Sequence, residues 1–479
     1  MKRPIYILFL LISIGVSAQS SPSLRGLGGV SDTLQAPSLS GLGESGVGSA
    51  DTLLNPLSEG VGGVSVFTLS QCIDSALVNS LSVRRQGNQY ASQRLQYTQA
   101  KANISPSISG YVGQNWVFGR STGADNISRP QNSSQTSFNL SANIVLFDGL
   151  QMKYNIDQAK AAMQSSEADL EAIRLNIKMN ISTMFLQVLL NKQLLRVAES
   201  QLEDTQIKLR KDSALVAAQR LAEGELLSLQ AQAAKEELAV IQQRSTLSLS
   251  LLDLAQAIEL TECNRFDIVE PALEELQGGL LPNNDDVYQQ ALAYRPEIRA
   301  LEYAIQANES ALKGYKSAYS PTISAGASVG TGYYDMQGAD NAAFGQQMGD
   351  NFSSTVGLSL SVPIYDRLQT TTAVKRQKIA VENARLDLEQ QKKDLRKDID
   401  QAYYNALAAQ QEKISAAKSE SSAREALRYA EQKYDAGRTT AYEYREAKTS
   451  YLQAQSAYLQ AYYNYIFRLR ILHFYAGTL

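Results

Sequence analysis

Two stretches of this chain alternate apolar and polar residues and then stop on the same short signature. In Ser137 to Leu150, SFNLSANIVLFDGL, Phe138, Leu140, Ala142, Ile144 and Leu146 alternate with Ser137, Asn139, Ser141 and Asn143. In Thr355 to Leu368, TVGLSLSVPIYDRL, Val356, Leu358, Leu360, Val362 and Ile364 alternate with Thr355, Gly357, Ser359 and Ser361. A period of two marks a β-strand with one apolar and one polar face. Both stretches end in an aromatic residue, Asp, any residue and Leu, and both run straight into a long helical pattern. Such a strand needs an apolar medium on one face, water on the other, and pairing partners along both edges.

The helical patterns are unusually long. Between Pro130 and Pro271 there is no proline, and from Leu150 to Pro271 the only glycine is Gly224. After Pro363 there is no proline, and from Tyr365 to Ala476 the only glycine is Gly437. Both segments are rich in Ala, Leu, Gln, Glu and Lys, which are strong helix formers. Each reads as two long helices joined at one tip. A helix from about Gln151 to Asp212 would be roughly 90 Å long. Its apolar residues Leu170, Ile173, Ile177, Ile181, Met184 and Val188 follow coiled-coil spacing. In the last helix Tyr444, Tyr451, Tyr458 and Tyr465 recur once per heptad, with Ala447, Ala454 and Ala461 between them. That pattern is a packing seam.

The whole layout occurs twice. Thr68-Leu69-Ser70-Gln71 opens a helix with a capping-box pattern, expected to run to about Asn103. Strands follow at about 105–118 and 136–147, around a polar loop. After a Gly-Gly-Pro linker the pattern restarts, with a helix from about Asn284 to Lys316 interrupted near Pro296. Ser320-Pro321-Thr322-Ile323-Ser324 repeats Ser105-Pro106-Ser107-Ile108-Ser109 215 residues later, and Asp366 follows Asp148 by 218. Strands at about 320–334 and 354–365 and two further helices complete a tandem duplication of helix, strand, strand, long helix and helix. The divisions are 67–276 and 277–479.

At the N-terminus, Lys2 and Arg3 precede an apolar run from Ile5 to Val16 and the small-residue site Val16-Ser17-Ala18. This reads as a signal peptide over 1–18. Residues 19–66 read as a flexible Gly/Ser-rich tether. The net charge of −3 gives no basic patch and excludes nucleic acid as an expected partner. One histidine, His473, and two cysteines, Cys72 and Cys263, remove most routes to a metal or Cys/His centre. Export would allow the two cysteines to pair; the favoured expectation is that both are free and packed. No catalytic, cofactor-binding or metal-ligating set emerges, so the chain is not read as an enzyme.

Four amphipathic strands cannot close a membrane barrel, because open edges have no hydrogen-bonding partner in lipid and small barrels need about eight strands. Closure therefore requires several copies. The lipid-facing residues would be Phe138, Leu140, Ala142, Ile144 and Leu146, with Val356, Leu358, Leu360 and Val362 as counterparts. The Ser, Asn, Thr and Gly positions would line a wet lumen. Trp116, Phe118, Tyr333 and Tyr334 suit an interfacial aromatic girdle.

The duplicated layout, SPSIS and SPTIS before the strands, IVLFDGL and VPIYDRL before the long helices, and the ending HFYAGTL resemble the TolC family of outer-membrane efflux proteins. FGRS at 118–121, YDAG at 434–437 and YIFRLRILHFY at 465–475 resemble its Bacteroidetes-type branch. The resemblance covers about residues 67–479. It implies a mainly α fold with a transmembrane β-barrel: a homotrimer with a 12-stranded barrel in the outer membrane and a 12-helix α-barrel in the periplasm. It implies an exit duct of a tripartite efflux pump or type I secretion system, with a periplasmic adaptor protein and an inner-membrane pump as partners. In such a trimer Ser137–Leu150 would pair with its sister strand at 355–365 and with neighbouring copies. The alternative is an exported coiled-coil scaffold that conducts nothing; a general porin lacks the long hairpins.

The resemblance also implies a periplasmic gate at the second helical tip, Tyr434, Gly437, Arg438, Glu443 and Glu446. Two acidic residues after the turn glycine line the aperture in this family, which over three copies gives six carboxylates around one axis. Here they are Glu443 and Glu446, where the family pattern has Asp, and the family's arginine aligns with Thr439. The bland alternative is that both glutamates are ordinary solvated helix charges. The first tip is expected between Val216 and Glu223, with Gln219 opposite Gly437 and Gly224 not a turn residue. Asp148 and Asp366 are expected to cap helix N-termini.

Overall fold

The computed structural model describes residues 65–122, 128–130, 132–260, 266–271, 281–337, 340–436 and 438–477. The first half contains β1 (Ser65–Phe67), α1 (Leu69–Asn79), α2 (Leu81–Ala102), β2 (Ser107–Val117), β3 (Arg120–Thr122), β4 (Ser128–Pro130), β5 (Ser133–Phe147), α3 (Gln151–Ala217) and α4 (Glu223–Ala257). It ends with β6 (Phe266–Ile268); the second half contains α5 (Asn284–Tyr294), α6 (Pro296–Ser317), β7 (Thr322–Met336), α7 (Phe344–Asp350), β8 (Ser353–Ser361), α8 (Gln369–Asp435) and α9 (Ala441–Ala476). Element lengths recur between halves: 11 and 22 residues for α1–α2 and for α5–α6, and 67 for both α3 and α8. A helix of that length spans about 100 Å.

The capping box at Thr68 forms. Gln71 N–H donates to Thr68 Oγ1 at 3.3 Å, and Thr68 N–H donates to Gln71 Oε1 at 2.9 Å. The helix it opens is not continuous to Asn103, as expected from sequence. It breaks at Ser80, which is extended at φ −55° and ψ 125°. The second half breaks at Arg295, φ −67° and ψ 122°, because Pro296 clashes with an α-helical predecessor.

β2, β5, β7 and β8 form one antiparallel sheet in that order. Here the structure corrects the expected pairing: β5 lies between β2 and β7, and its sequence sister β8 pairs with β7 instead. Among the described residues, β2 and β8 each keep an open edge. Residues paired across strands share a face. One face carries Ile108, Ala142, Ala327 and Val356 in one row, and Leu140 with Val329, and Ile144 with Ala325 and Leu358, in others. The opposite face carries Ser109, Ser141, Ser328 and Thr355, with Asn143, Gly326 and Gly357 in the next row. Hydroxyl pairs lace that face, Ser109 to Ser141 at 2.9 Å and Ser324 to Ser359 at 2.8 Å. On the apolar face Val356, Leu358 and Leu360 are 83, 75 and 65% exposed.

Three positions depart from the expected arrangement. The ladder shifts between Val145 and Phe147, so Leu146 has no partner there and Phe147 takes the place opposite Ile323. β8 ends at Ser361, leaving Val362 outside the strand, because Pro363 has no N–H to donate. Tyr334 pairs with Gln135 on the polar face, while Tyr333 lies on the apolar one.

Helices α3 and α8 start alike. Gly149 and Leu150 have φ of 68° and 72°, and Arg367 and Leu368 have 55° and 65°. This double left-handed turn redirects the chain from strand to helix. Asp148 Oδ2 accepts from Met152 N–H at 2.8 Å, and Asp366 Oδ2 accepts from Thr370 N–H at 2.7 Å. The aspartates thus cap from two residues before the geometric cap positions Leu150 and Leu368. The main core gathers around the middle of α3. Ile181, Phe185, Val188 and Leu189 pack with Cys72, Leu254, Ile258, the strand residues Phe266 and Ile268, and Ile466.

Candidate gate at the helix tips

The first tip spans 218–222, within the expected interval. Gln219 adopts φ 56°, Gln219 N–H bonds the Val216 carbonyl at 2.9 Å, and Arg220 N–H bonds the Leu215 carbonyl at 2.8 Å. This is a Schellman closure. At the second tip Arg438 N–H likewise reaches back to the Lys433 carbonyl, at 2.8 Å. Gly437 lies outside the described residues. Gly224 is the second residue of α4.

Helix α9 is capped by Thr440, whose Oγ1 accepts from Glu443 N–H at 3.3 Å. The Thr439 hydroxyl donates to the Glu443 carboxylate. Thr439 therefore engages the first of the two glutamates from the position that the family resemblance gives to an arginine. Glu443 sits in the first turn of α9, where the helix dipole favours a carboxylate. Glu443, Glu446 and Arg438 are all exposed. Glu446 lines a groove between α4 and α9 with Ser228, Gln232, Lys235 and Tyr442, and Arg445 donates to the Ser228 hydroxyl.

Tyr434 points the other way. Its ring stacks on Tyr444, with centroids 5.3 Å apart and planes at 24°. Burial raises its pKa, and the nearby carboxylates Asp212 and Glu225 add to the rise. Tyr444 is buried and accepts a hydrogen bond from Lys208 of α3; Lys208 also pairs with Glu431 at 3.1 Å. Burial opposes the Lys208 charge, but Tyr444 and Glu431 outweigh it and raise its pKa.

Above the tip lies a polar cluster that sequence reasoning missed. Lys448 Nζ donates to Thr205 Oγ1 at 2.7 Å and lies 3.9 Å from Glu236 Oε1. That oxygen also accepts from Gln201 and Gln232, each at 2.8 Å. The pairing groups are far apart in sequence, which hid them. The available signal was a lysine four residues after Tyr444 on the tyrosine stripe. Among the described residues, no group of three His, Cys, Asp or Glu could hold a metal. Cys72 is free and buried, which pushes its thiol pKa up to about 12; Cys263 lies outside the described residues. No described helix is long and apolar enough to cross a membrane.

Sheet and tips together define a class: an open-edged, two-faced four-stranded sheet carried on paired helices of up to 67 residues. Known proteins share this arrangement. The outer membrane efflux protein family matches residues 72–260 and 287–478. The outer membrane efflux protein BepC of Brucella suis is 24% identical over 299 residues, 60% of this chain and 61% of that protein. The match thus spans about three-fifths of that relative. A membrane protein from Pseudomonas aeruginosa superposes with a TM-score of 0.72 at 17% identity, over 85% of this chain and 92% of that one. The open state of the Neisseria gonorrhoeae MtrE outer membrane channel gives 0.68 at 19% identity, over 85% and 88%. This chain belongs to the outer membrane efflux protein family.

Proposed function

We propose that this chain is one of three copies of an exit duct through the outer membrane, serving a tripartite efflux pump or a type I secretion system. The sheet carries the argument. Its apolar face is exposed, its polar face is laced with hydroxyls, and among the described residues both outer edges are open. Burying the apolar face in lipid and pairing the edges with other copies resolves all three features. Three copies give twelve strands, and their paired helices continue as a twelve-helix periplasmic tunnel. Phe138, Leu140, Ile144, Val356, Leu358 and Leu360 face lipid; Leu146 sits unpaired at the bulge of β5 and Val362 lies beyond the end of β8. Residues 1–18 export the chain, 19–66 tether it, and a periplasmic adaptor and inner-membrane pump dock at the tips.

Glu443 and Glu446 form the aperture ring. Both are exposed, three residues apart on one face of α9, and six such carboxylates around an axis select for cations. Replacing both with Gln in purified protein in planar bilayers is expected to lower the cation-to-anion permeability ratio. An unchanged ratio contradicts the ring. Failure of wild-type and variant alike to conduct favours the scaffold alternative.

A further inference from the structure

The polar face of the four-stranded sheet divides into two zones. Towards the long helices its hydroxyls satisfy one another, Ser109 with Ser141 and Ser324 with Ser359. The next three rows, further from the helices, are different. Tyr111, Asn139 and Gly330 form the first of them, Gly113, Ser137 and Gly332 the second, and Asn115, Gln135 and Tyr334 the third. Among the described residues, the polar side chains of these rows make no hydrogen bond within the chain. Their donors and acceptors are displayed rather than paired off.

The middle row is a shallow saddle, because two of its three members are glycines. Tyr111 leans into it. A methyl group added at Gly113 would come within 2.8 Å of the Tyr111 ring, so the missing side chain is what lets that ring lie along its own strand. The ring is 64% exposed there, beside the Ser137 hydroxyl and the Asn139 amide, with Tyr334 across the saddle.

The chemistry of this patch narrows what it can hold. Every residue that the four strands place on the polar face is uncharged, and the one charged residue of the sheet, Asp335, lies on the other face. The patch therefore offers no ion pair to a phosphate, a carboxylate or an amine. Amides and hydroxyls both donate and accept, as every hydroxyl of a sugar does. The negative face of an aromatic ring attracts C–H groups, which a sugar ring presents on its apolar side. A peptide backbone matches the amides but brings no such ring faces to the tyrosines. A neutral polyhydroxyl chain matches both.

We propose that Tyr111, Ser137 and Asn139, bordered by Gln135 and Tyr334, form a subsite for neutral polyhydroxyl chains on the lumen wall, which makes saccharide-bearing solutes a cargo class that the duct holds in transit. The proposal rests on the duct reading, which turns this face to the lumen. It is tested by recording current through the purified full-length protein in planar bilayers in potassium chloride. Three neutral probes are added in turn: maltohexaose, a polyethylene glycol of the same hydrodynamic radius, and a glycine–serine peptide of similar length. Maltohexaose is expected to interrupt the current for times about tenfold longer than the polymer. Tyr111→Ala is expected to shorten those times to the polymer's. Tyr111→Phe keeps the ring, and is expected to retain most of the effect. Asn139→Ala is expected to shorten them by a smaller factor, and decides the matter if the tyrosine variants do not fold. Equal times for sugar and polymer, or times that no variant changes, overturn the subsite. Retention of the peptide for as long as the sugar overturns its saccharide character. The Glu443→Gln and Glu446→Gln double variant separates the two readings. If it changes ion permeability while the wild type does not retain maltohexaose, the subsite alone fails; if no form conducts, the duct reading fails.

Discussion

Gln219 shows how a single side chain carries backbone strain in this fold. At φ 56° it occupies the left-handed region that glycine enters freely and other residues enter at about 1–2 kcal/mol. Its neighbours still complete the closure, since Arg220 N–H reaches the Leu215 carbonyl. Gln219→Gly is therefore expected to stabilise the protein by about 0.5–1 kcal/mol, read as a higher thermal midpoint in detergent. A lower midpoint would mean that the glutamine side chain makes a contact worth more than the strain. Asp366 gives the pH counterpart. Its hydrogen bonds to Thr370 hold its carboxyl below the usual range. Its capping contribution is therefore complete above the ordinary carboxylate range and is lost as the pH falls through the lowered value. Measured against the intrinsic exchange rate, protection of the Thr370 amide is expected to fall on acidification in the wild type and to be low at every pH in Asp366→Ala. Equal protection in both would remove the aspartate from the cap.

At the scale of elements, the break at Ser80 has no proline to announce it, yet it sits where the second half breaks at Arg295. Pro296 lies 215 residues after Leu81, the first residue of α2. A proline is tolerated at a first helical position, and Ser80 already has the extended ψ that a following proline demands. Leu81→Pro is expected to change stability by less than about 0.5 kcal/mol, against about 3 kcal/mol for a proline inside a helix. A large loss measured by urea unfolding would show that α1 and α2 depend on each other across the joint. The long helices, both hairpin strands and the aspartate caps were legible, because each rests on local periodicity or on a breaker. The strand order was not. Ser137–Leu150 and Thr355–Leu368 resemble each other in sequence, but the hairpin links β7 to β8, and β7 takes the free edge of β5. Likeness of pattern reports a shared face, whereas adjacency depends on connection. The Lys448 cluster was hidden for a related reason, since its members meet only once α3, α4 and α9 are packed.

In the proposed assembly the sheet's apolar face is turned to lipid, its polar face to the lumen, and the edges left open among the described residues are paired with other copies. A cation placed on the apolar face tests the lipid contact. Leu140→Arg is expected to destabilise the folded state in bilayers by about 2–4 kcal/mol if it lies near the midplane, whereas Ser141→Arg, one residue along on the polar face, is expected to alter conduction with a smaller effect on stability. Equal effects would argue against two different media. Closure calls for more than one copy, since the four strands of the sheet fall short of the roughly eight that a small barrel needs; that the number is three, which supplies twelve strands, is what the family resemblance implies and what we propose. Native mass measurement of the detergent-solubilised protein tests this most directly. The account predicts a single species of three chains; a monomer that stays soluble without detergent would contradict it.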